Sequence, residues 1–214
     1  MNLNILSLNS GHPTEIVWDD KKISSSMLRI PVEGPLVVHQ RYIEGNSFAS
    51  PNLHGLEHSV LYAFGMKSIQ SYLKLLERSN YDPGALGENV TLDDLDENEI
   101  SVGDIFQFGE VQAQASFPRI PCGKVNIRMQ HPLGQKLLQD CGRSGVYFRI
   151  LKTGKIHKAD SVKRTELAKD RFLISDLYRK YIGRDQFTQK DFDILHDKKI
   201  LPQNIMDRIK SKIQ

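Results

Sequence analysis

The residues best equipped for chemistry lie in one run, Ser116-Phe117-Pro118-Arg119-Ile120-Pro121-Cys122-Gly123-Lys124. Pro118 and Pro121 hold the segment extended and remove two backbone donors, so it cannot continue as helix and is a poor central strand. A cysteine directly after the second proline is therefore aimed by a stiff lead-in. The Arg119 guanidinium precedes it and the Lys124 ammonium follows it, and nearby positive charge favours the thiolate, the form that attacks an electrophile or binds a metal. These residues point to Cys122 as the ligand of a metal centre carried by an anionic cofactor. The competing reading is a small buried hydrophobe with two solvated cations near it. On these nine residues alone that second reading has the stronger claim, and the flanking sequence decides between them.

A chain of 214 residues can hold one sizeable core, or a main domain with a small appendage. Apolar content of 39% and charged content of 26% are ordinary for a soluble globular protein. The 29 Lys and Arg against 26 Asp and Glu leave a formal charge of +3, too little for a nucleic-acid partner without a concentrated patch. Basic residues thicken only between Lys198 and Lys212, where acids are interspersed as on a solvated helix surface. No apolar run approaches a membrane span, so no membrane partner is expected. Cys122 and Cys141 are too few for a disulfide scaffold, and Met1-Asn2-Leu3-Asn4 lacks the features of a secretory signal. A reducing cytoplasm with two free thiols is the expected setting.

The elements that must position Cys122 begin with strands. Asn2 to Asn9 alternates polar and apolar residues, Thr14 to Trp18 reads as a second strand entering a polar turn at 19–22, and Leu36-Val37-Val38 as a third. From Glu57 to Leu76 the apolar residues recur mainly at steps of three and four, which predicts a helix broken or bent near Gly65. Strand signals return at Asn89 to Leu92, Ile105 to Phe108, Val111 to Ala115, Gly145 to Leu151 and Val162 to Leu167, with a short helix over Gly134 to Asp140 and a turn at Gly154-Lys155. The alternating run at Val111 feeds the proline-cysteine segment, so Cys122 should sit on a loop just past a strand end. After about residue 170 the pattern turns helical, over Ser175 to Tyr181, Thr188 to His196 and Gln203 to Ile213, with Thr188 as an N-cap. The expected architecture is mostly β, a barrel over residues 1–168 with a few helices and a C-terminal three-helix appendage over 169–214.

Several stretches together resemble one family. Gly87-Glu88-Asn89, Val102-Gly103-Asp104-Ile105-Phe106, Pro118-Arg119-Ile120-Pro121-Cys122 and Gly142-Arg143-Ser144-Gly145-Val146-Tyr147 follow the order and spacing of MOSC domains, named after the molybdenum cofactor sulfurase C-terminus, in the YiiM-like branch. The likeness extends to Pro31-Val32-Glu33-Gly34-Pro35, His54-Gly55 and the tail Ile174-Ser175-Asp176-Leu177-Tyr178, nearly the whole chain. It implies a β-barrel that binds the molybdenum cofactor, with Cys122 coordinating molybdenum. By the same likeness His54, Asn89 and Arg143 fall in motifs that line the cofactor site, and Arg119 and Lys124 suit the anionic pterin phosphate and the thiolate. Where relatives usually carry His-Gly-Gly-Pro-Asp-Lys this chain has His54-Gly55-Leu56-Glu57-His58-Ser59, and Gly45-Asn46 stands where Gly-Asp is common.

Other readings of these residues stay open. His54 fits a turn cap equally well, Asn89 fits a left-handed turn residue, and Arg143 fits a cap for the helix ending near Cys141. Glu88 reads as a structural acceptor or a partner of Arg119, and Cys141 as inert. For the whole chain the resemblance implies an oxidoreductase that reduces N-hydroxylated compounds, such as hydroxylaminopurines or amidoximes, with electrons from a separate reductase, since no flavin, haem or iron-sulfur motif is seen. The alternative is a molybdopterin or sulfur carrier working on Cys122 without turnover. A third possibility is a member that has lost the cofactor through the altered His54 to Ser59 wall. Larger relatives add a pyridoxal-phosphate desulfurase, for which this chain has no room, so pyridoxal phosphate is not expected.

Overall fold

Alternating burial explains the first strand, where Leu3 and Ile5 point inward between exposed Asn2, Asn4 and Leu6. The computed structural model describes residues 1–18, 21–47 and 57–213. The first half of the chain contributes β1 (Asn2–Ser10), β2 (Thr14–Trp18), β3 (Lys21–Ser25), β4 (Ile30–Pro31), β5 (Leu36–Val38), β6 (Leu61–Gly65), α1 (Met66–Leu75) and β7 (Val90–Leu92). The second half adds β8 (Ile105–Phe108), β9 (Val111–Pro118), α2 (Lys124–Arg128), α3 (Gly134–Cys141), β10 (Val146–Lys152), β11 (Gly154–Ile156), β12 (Ser161–Glu166), α4 (Ile174–Tyr181), α5 (Gln189–Asp197) and α6 (Gln203–Lys210).

The main sheet runs β12-β8-β9-β10-β6-β7-β1, and β1 pairs back onto β12, which closes a seven-stranded barrel. All neighbours are antiparallel except β6 and β7. Closure leaves no open edge along the ring. Phe106, Phe108 and Phe148 meet inside at centroid distances of 5.2 to 6.3 Å, the spacing that edge-to-face rings favour. Two short ribbons stand outside the ring: β5 with β11, and the hairpin β2–β3.

Residues 57–76 are not one bent helix. Glu57–Ser59 is a single 3-10 turn, Leu61–Gly65 is the central strand β6, and only Met66–Leu75 is helical. All five residues of β6 are buried, and a short apolar run buried on every side has the same hydrophobic pattern in a strand as in a helix. Gly65 is where the chain changes from strand to helix, and a Cβ there would meet the Leu95 carbonyl oxygen at 2.2 Å. Two predicted turns are also strand: Lys21–Lys22 begins β3, and Gly154–Lys155 belongs to β11, which pairs with β5. Helix α2, directly after Cys122, was not expected.

The C-terminal helices contribute Ile174, Leu177, Phe187, Leu195 and Ile209 to the same hydrophobic cluster as the barrel aromatics. Thr188 is the N-cap of α5, with its Oγ1 accepting from the Asp191 amide at 3.2 Å and the Asp191 carboxylate accepting from the Thr188 amide at 2.8 Å. An ion pair between Lys180 and Asp191 at 2.9 Å ties α4 to α5. Among the described residues no helix is long and apolar enough to cross a membrane.

The Gly65 contact makes a direct prediction. Gly65→Ala must push backbone away from Leu95, and it is expected to cost about 3 kcal/mol of unfolding free energy in urea titration. A loss indistinguishable from zero would contradict the close approach.

Candidate functional site

Strand β9 runs to Pro118, whose partner on β10 is Val146, so the barrel wall carries the chain up to Arg119. From there to α2 the backbone is held by side chains. The Ser144 hydroxyl donates to the Arg119 carbonyl at 2.5 Å, and the Tyr62 hydroxyl donates to the Ser144 carbonyl at 2.7 Å. The Gln135 amide donates to the Pro121 carbonyl at 3.0 Å, and the Val125 amide donates to the Cys122 carbonyl at 2.9 Å as α2 begins. Phe117 packs edge-on against Tyr181 of α4 at 4.9 Å, which braces the lead-in from behind. Cys122 ends up as an exposed free thiol on a loop fixed on both sides.

The thiol borders a narrow open cleft of about 80 Å³ whose walls include Met27, Arg29, Tyr62, Arg119, Lys124 and Tyr147. Arg119 is only 5% exposed; one Nη2 contact reaches the Met27 sulfur at 3.8 Å, while its buried Nη1 has no hydrogen-bond partner among the described residues. Arg29 is buried as well, and its Nη1 donates to the Gly87 carbonyl. Burial lowers its pKa to about 10, against the opposing pull of Tyr147 and Glu88, which leaves it a cation at neutral pH. Burial raises the phenols of Tyr62 and Tyr147, so both stay protonated and can donate. Lys124 bridges α2 to β3, its Nζ donating to the Ser24 carbonyl at 2.9 Å.

The structure brings together Cys122, Arg119 and Lys124 of the residues picked out by sequence. Asn89 is fully buried and spends its amide on backbone: Oδ1 accepts from the Tyr62 amide at 3.2 Å and Nδ2 donates to the Asn9 carbonyl at 3.3 Å. It thus fixes β6, whose Tyr62 lines the cleft, without lining the cleft itself. Arg143 pairs with Asp96 at 3.0 Å and is also outside the cleft lining. His54 lies outside the described residues. Glu88 is a structural acceptor, taking bonds from the Tyr81 hydroxyl, the Gly84 amide and Thr91; Arg29, rather than Arg119, is the cation that feels it.

Arg29, Tyr62 and Tyr147 were missed by sequence reasoning. Arg29 sits in a segment without periodicity, and Tyr62 was assigned to a helix. Tyr147 was part of a quoted motif, and alternation along its strand would have shown which face it takes.

Among the described residues no cluster of three His, Cys, Asp or Glu side chains could hold a bare metal ion. The donor set at Cys122 is one thiol beside two buried guanidiniums, an ammonium and two phenols. That set fits a metal that brings its own ligands on an anionic carrier: a soft sulfur for the metal, and an unpartnered buried N–H for the anion.

The sequence model of the MOSC domain matches residues 50–163, more than half of the chain, and the protein belongs to the MOSC domain family. An uncharacterized protein of Bacillus subtilis, YflK, is 29% identical over 153 residues, 72% of this chain and 69% of its own length. A protein of Gibberella moniliformis named "Reductase" is 30% identical over 148 residues, 68% of this chain but only 26% of that protein. The crystal structure of YiiM from Geobacillus stearothermophilus superposes with a TM-score of 0.78 at 24% identity, covering 98% of both chains, so the fold is that of YiiM including the C-terminal helices.

The buried carboxyl of Glu97, bonded to the Gly145 amide beside Ser144, titrates out of its usual range. Glu97 is 2% exposed; its carboxylate accepts from the Gly145 amide at 2.7 Å and from the Ser68 hydroxyl at 2.9 Å, and burial nonetheless raises its pKa above the usual carboxyl range. A carboxyl whose folded pKa is raised adds stability at low pH, which is lost as pH rises through the folded value. Glu97→Gln removes that titration, so as pH rises from the usual carboxyl range toward neutrality the variant should lose less stability than the wild type in denaturant titrations. Equal losses would contradict the assigned shift.

Proposed function

We propose that this chain is a molybdenum-cofactor-dependent reductase of N-hydroxylated compounds, with Cys122 as the protein ligand to molybdenum. The observation that carries the reading is the pairing of an exposed, rigidly held thiol with a buried guanidinium whose Nη1 lacks a partner in the same cleft. Family membership and the reductase-named relative support it.

In this reading the thiolate of Cys122 would bind the metal, and Arg119, Arg29 and Lys124 would supply the positive surroundings that an anionic pterin phosphate needs. When bound, the cofactor would supply the two-electron couple that reductive cleavage of an N–O bond requires. The overall change is an N–O bond exchanged for N–H, with two electrons and two protons consumed and one water released. The residues of the chain hold and orient: the Tyr62–Ser144–Arg119 linkage keeps the loop from drifting, and the neutral phenol of Tyr147 is available as a hydrogen-bond donor at the cleft wall. The electrons would come from a separate reductase partner, and the setting would be cytoplasmic.

The test is to purify the protein from molybdenum-replete cells, measure metal and pterin, and assay hydroxylaminopurine reduction with an artificial electron donor. Bound cofactor and turnover are expected, and Cys122→Ser should lose both by more than about ten-fold while its thermal melt is unchanged, since the exchange is small in volume. Full turnover in Cys122→Ser would overturn the ligand assignment. Bound cofactor without any reduction would favour a carrier instead.

A further inference from the structure

A second cleft, larger and mostly apolar, adjoins the one at Cys122. Its walls are Ile16 and Val17 of β2, Met27 and Leu28 after β3, and Ile127 and Arg128 of α2. Ser25 and Met27 line both clefts, so the two share a wall. Helix α2 borders both, with Lys124 in the first cleft and Ile127 and Arg128 in the second. Along α2, at about 1.5 Å of rise per residue, Lys124 in the first cleft and Arg128 in the second lie roughly 6 Å apart along the helix axis.

One wall of this apolar surface is charged, that of Arg128. Among the described residues no carboxylate lines the cleft, and the Nε of Arg128 is buried without a hydrogen-bond partner. Arg128 also borders a polar recess lined by Asp82 and Arg78, and among the described residues it forms no ion pair with Asp82. A guanidinium N–H taken out of water and left unbonded is costly. Nε itself is sealed from solvent, so a planar carboxylate entering along the apolar cleft would meet the part of the half-buried Arg128 side chain that lines it, with the charge and forked donors that distinguish Arg from Lys.

Building on the reduction proposed for the Cys122 cleft, we propose that the adjoining cleft is the subsite for the body of the substrate and that Arg128 receives a carboxylate there. The substrate class is then an N-hydroxylated compound with a flat or aliphatic apolar body that ends in a carboxylate. The reacting group lies toward Cys122, the body lies against Met27, Ile127 and Ile16, and the acid lies at Arg128. Arg128 is a specificity-determining residue in this scheme and takes no part in bond breaking.

Two probes of similar size test it, 4-carboxybenzamidoxime and 4-methylbenzamidoxime. Their binding to the purified full chain is measured by titration calorimetry for the wild type, Arg128→Gln and Arg128→Lys, with circular dichroism melts of each protein. The carboxylated probe should bind the wild type at least about ten-fold more tightly than the methyl probe. That ratio should fall to about one in Arg128→Gln and be partly retained in Arg128→Lys. Equal affinities in the wild type, no detectable binding of either probe, or a preference unchanged in Arg128→Gln would overturn the subsite. Turnover measured in parallel keeps the two proposals apart. An Arg128-dependent carboxylate preference without reduction would sink the reductase reading and leave the subsite standing, whereas reduction of both probes with equal kcat/KM would do the reverse.

Discussion

Two hydrogen bonds in series hold this site together: the Tyr62 hydroxyl to the Ser144 carbonyl, and the Ser144 hydroxyl to the Arg119 carbonyl. They join β6, the approach to β10 and the exit of β9, so the loop that carries Cys122 is fixed to three strands of a closed barrel. Glu97 extends the linkage by accepting the Gly145 amide, and Gly145 itself has φ +78° with Tyr62 and the Ala63 carbonyl too close for any Cβ. Each bond is buried, where a lost partner leaves an unpaired polar group that costs about 1–3 kcal/mol. The rigidity that metal ligation would require is therefore built into the barrel wall, with the prolines contributing only the last part of it.

Charge is the second constraint. Arg29 and Arg119 are both buried in the cleft beside one exposed thiol, and Arg119 acts on Arg29 as a like charge. Glu88 partly offsets Arg29, but its own carboxylate is occupied by Tyr81, Gly84 and Thr91 and is raised by burial. The cleft consequently keeps a positive field behind low-dielectric walls, which favours an anionic ligand over a neutral one. A buried guanidinium such as that of Arg119, whose Nη1 has no hydrogen-bond partner among the described residues, is a poor choice for stability alone. Its presence next to Cys122 is better explained by what it is able to bind.

Much of this was legible in the residues. The alternation in Asn2 to Asn9 and in Val111 to Ala115 gave β1 and most of β9, and the placement of Cys122 just past a strand end followed from the second of these. The order of four short motifs carried the family, since each matches many chains alone and few chains match all four. The β6 error had a physical origin: Leu61 to Gly65 is buried on every side, so period carries no information there, and the missed strand took Tyr62 with it. Arg29 was out of reach because its neighbours in space, Gly84 and Gly87, are far away in sequence. Asn89 and Arg143 sit in family motifs for reasons the sequence could not separate, one bonding two backbone segments and the other paired with Asp96.

The account turns on a sulfur donated by Cys122 to molybdenum. X-ray absorption at the molybdenum edge, on protein purified from molybdenum-replete cells, reads the metal's neighbours directly. The account predicts one sulfur neighbour beyond those of the cofactor's own dithiolene, absent when Cys122 is replaced by serine. A loaded protein whose molybdenum has only the dithiolene sulfurs, with or without Cys122, would contradict it.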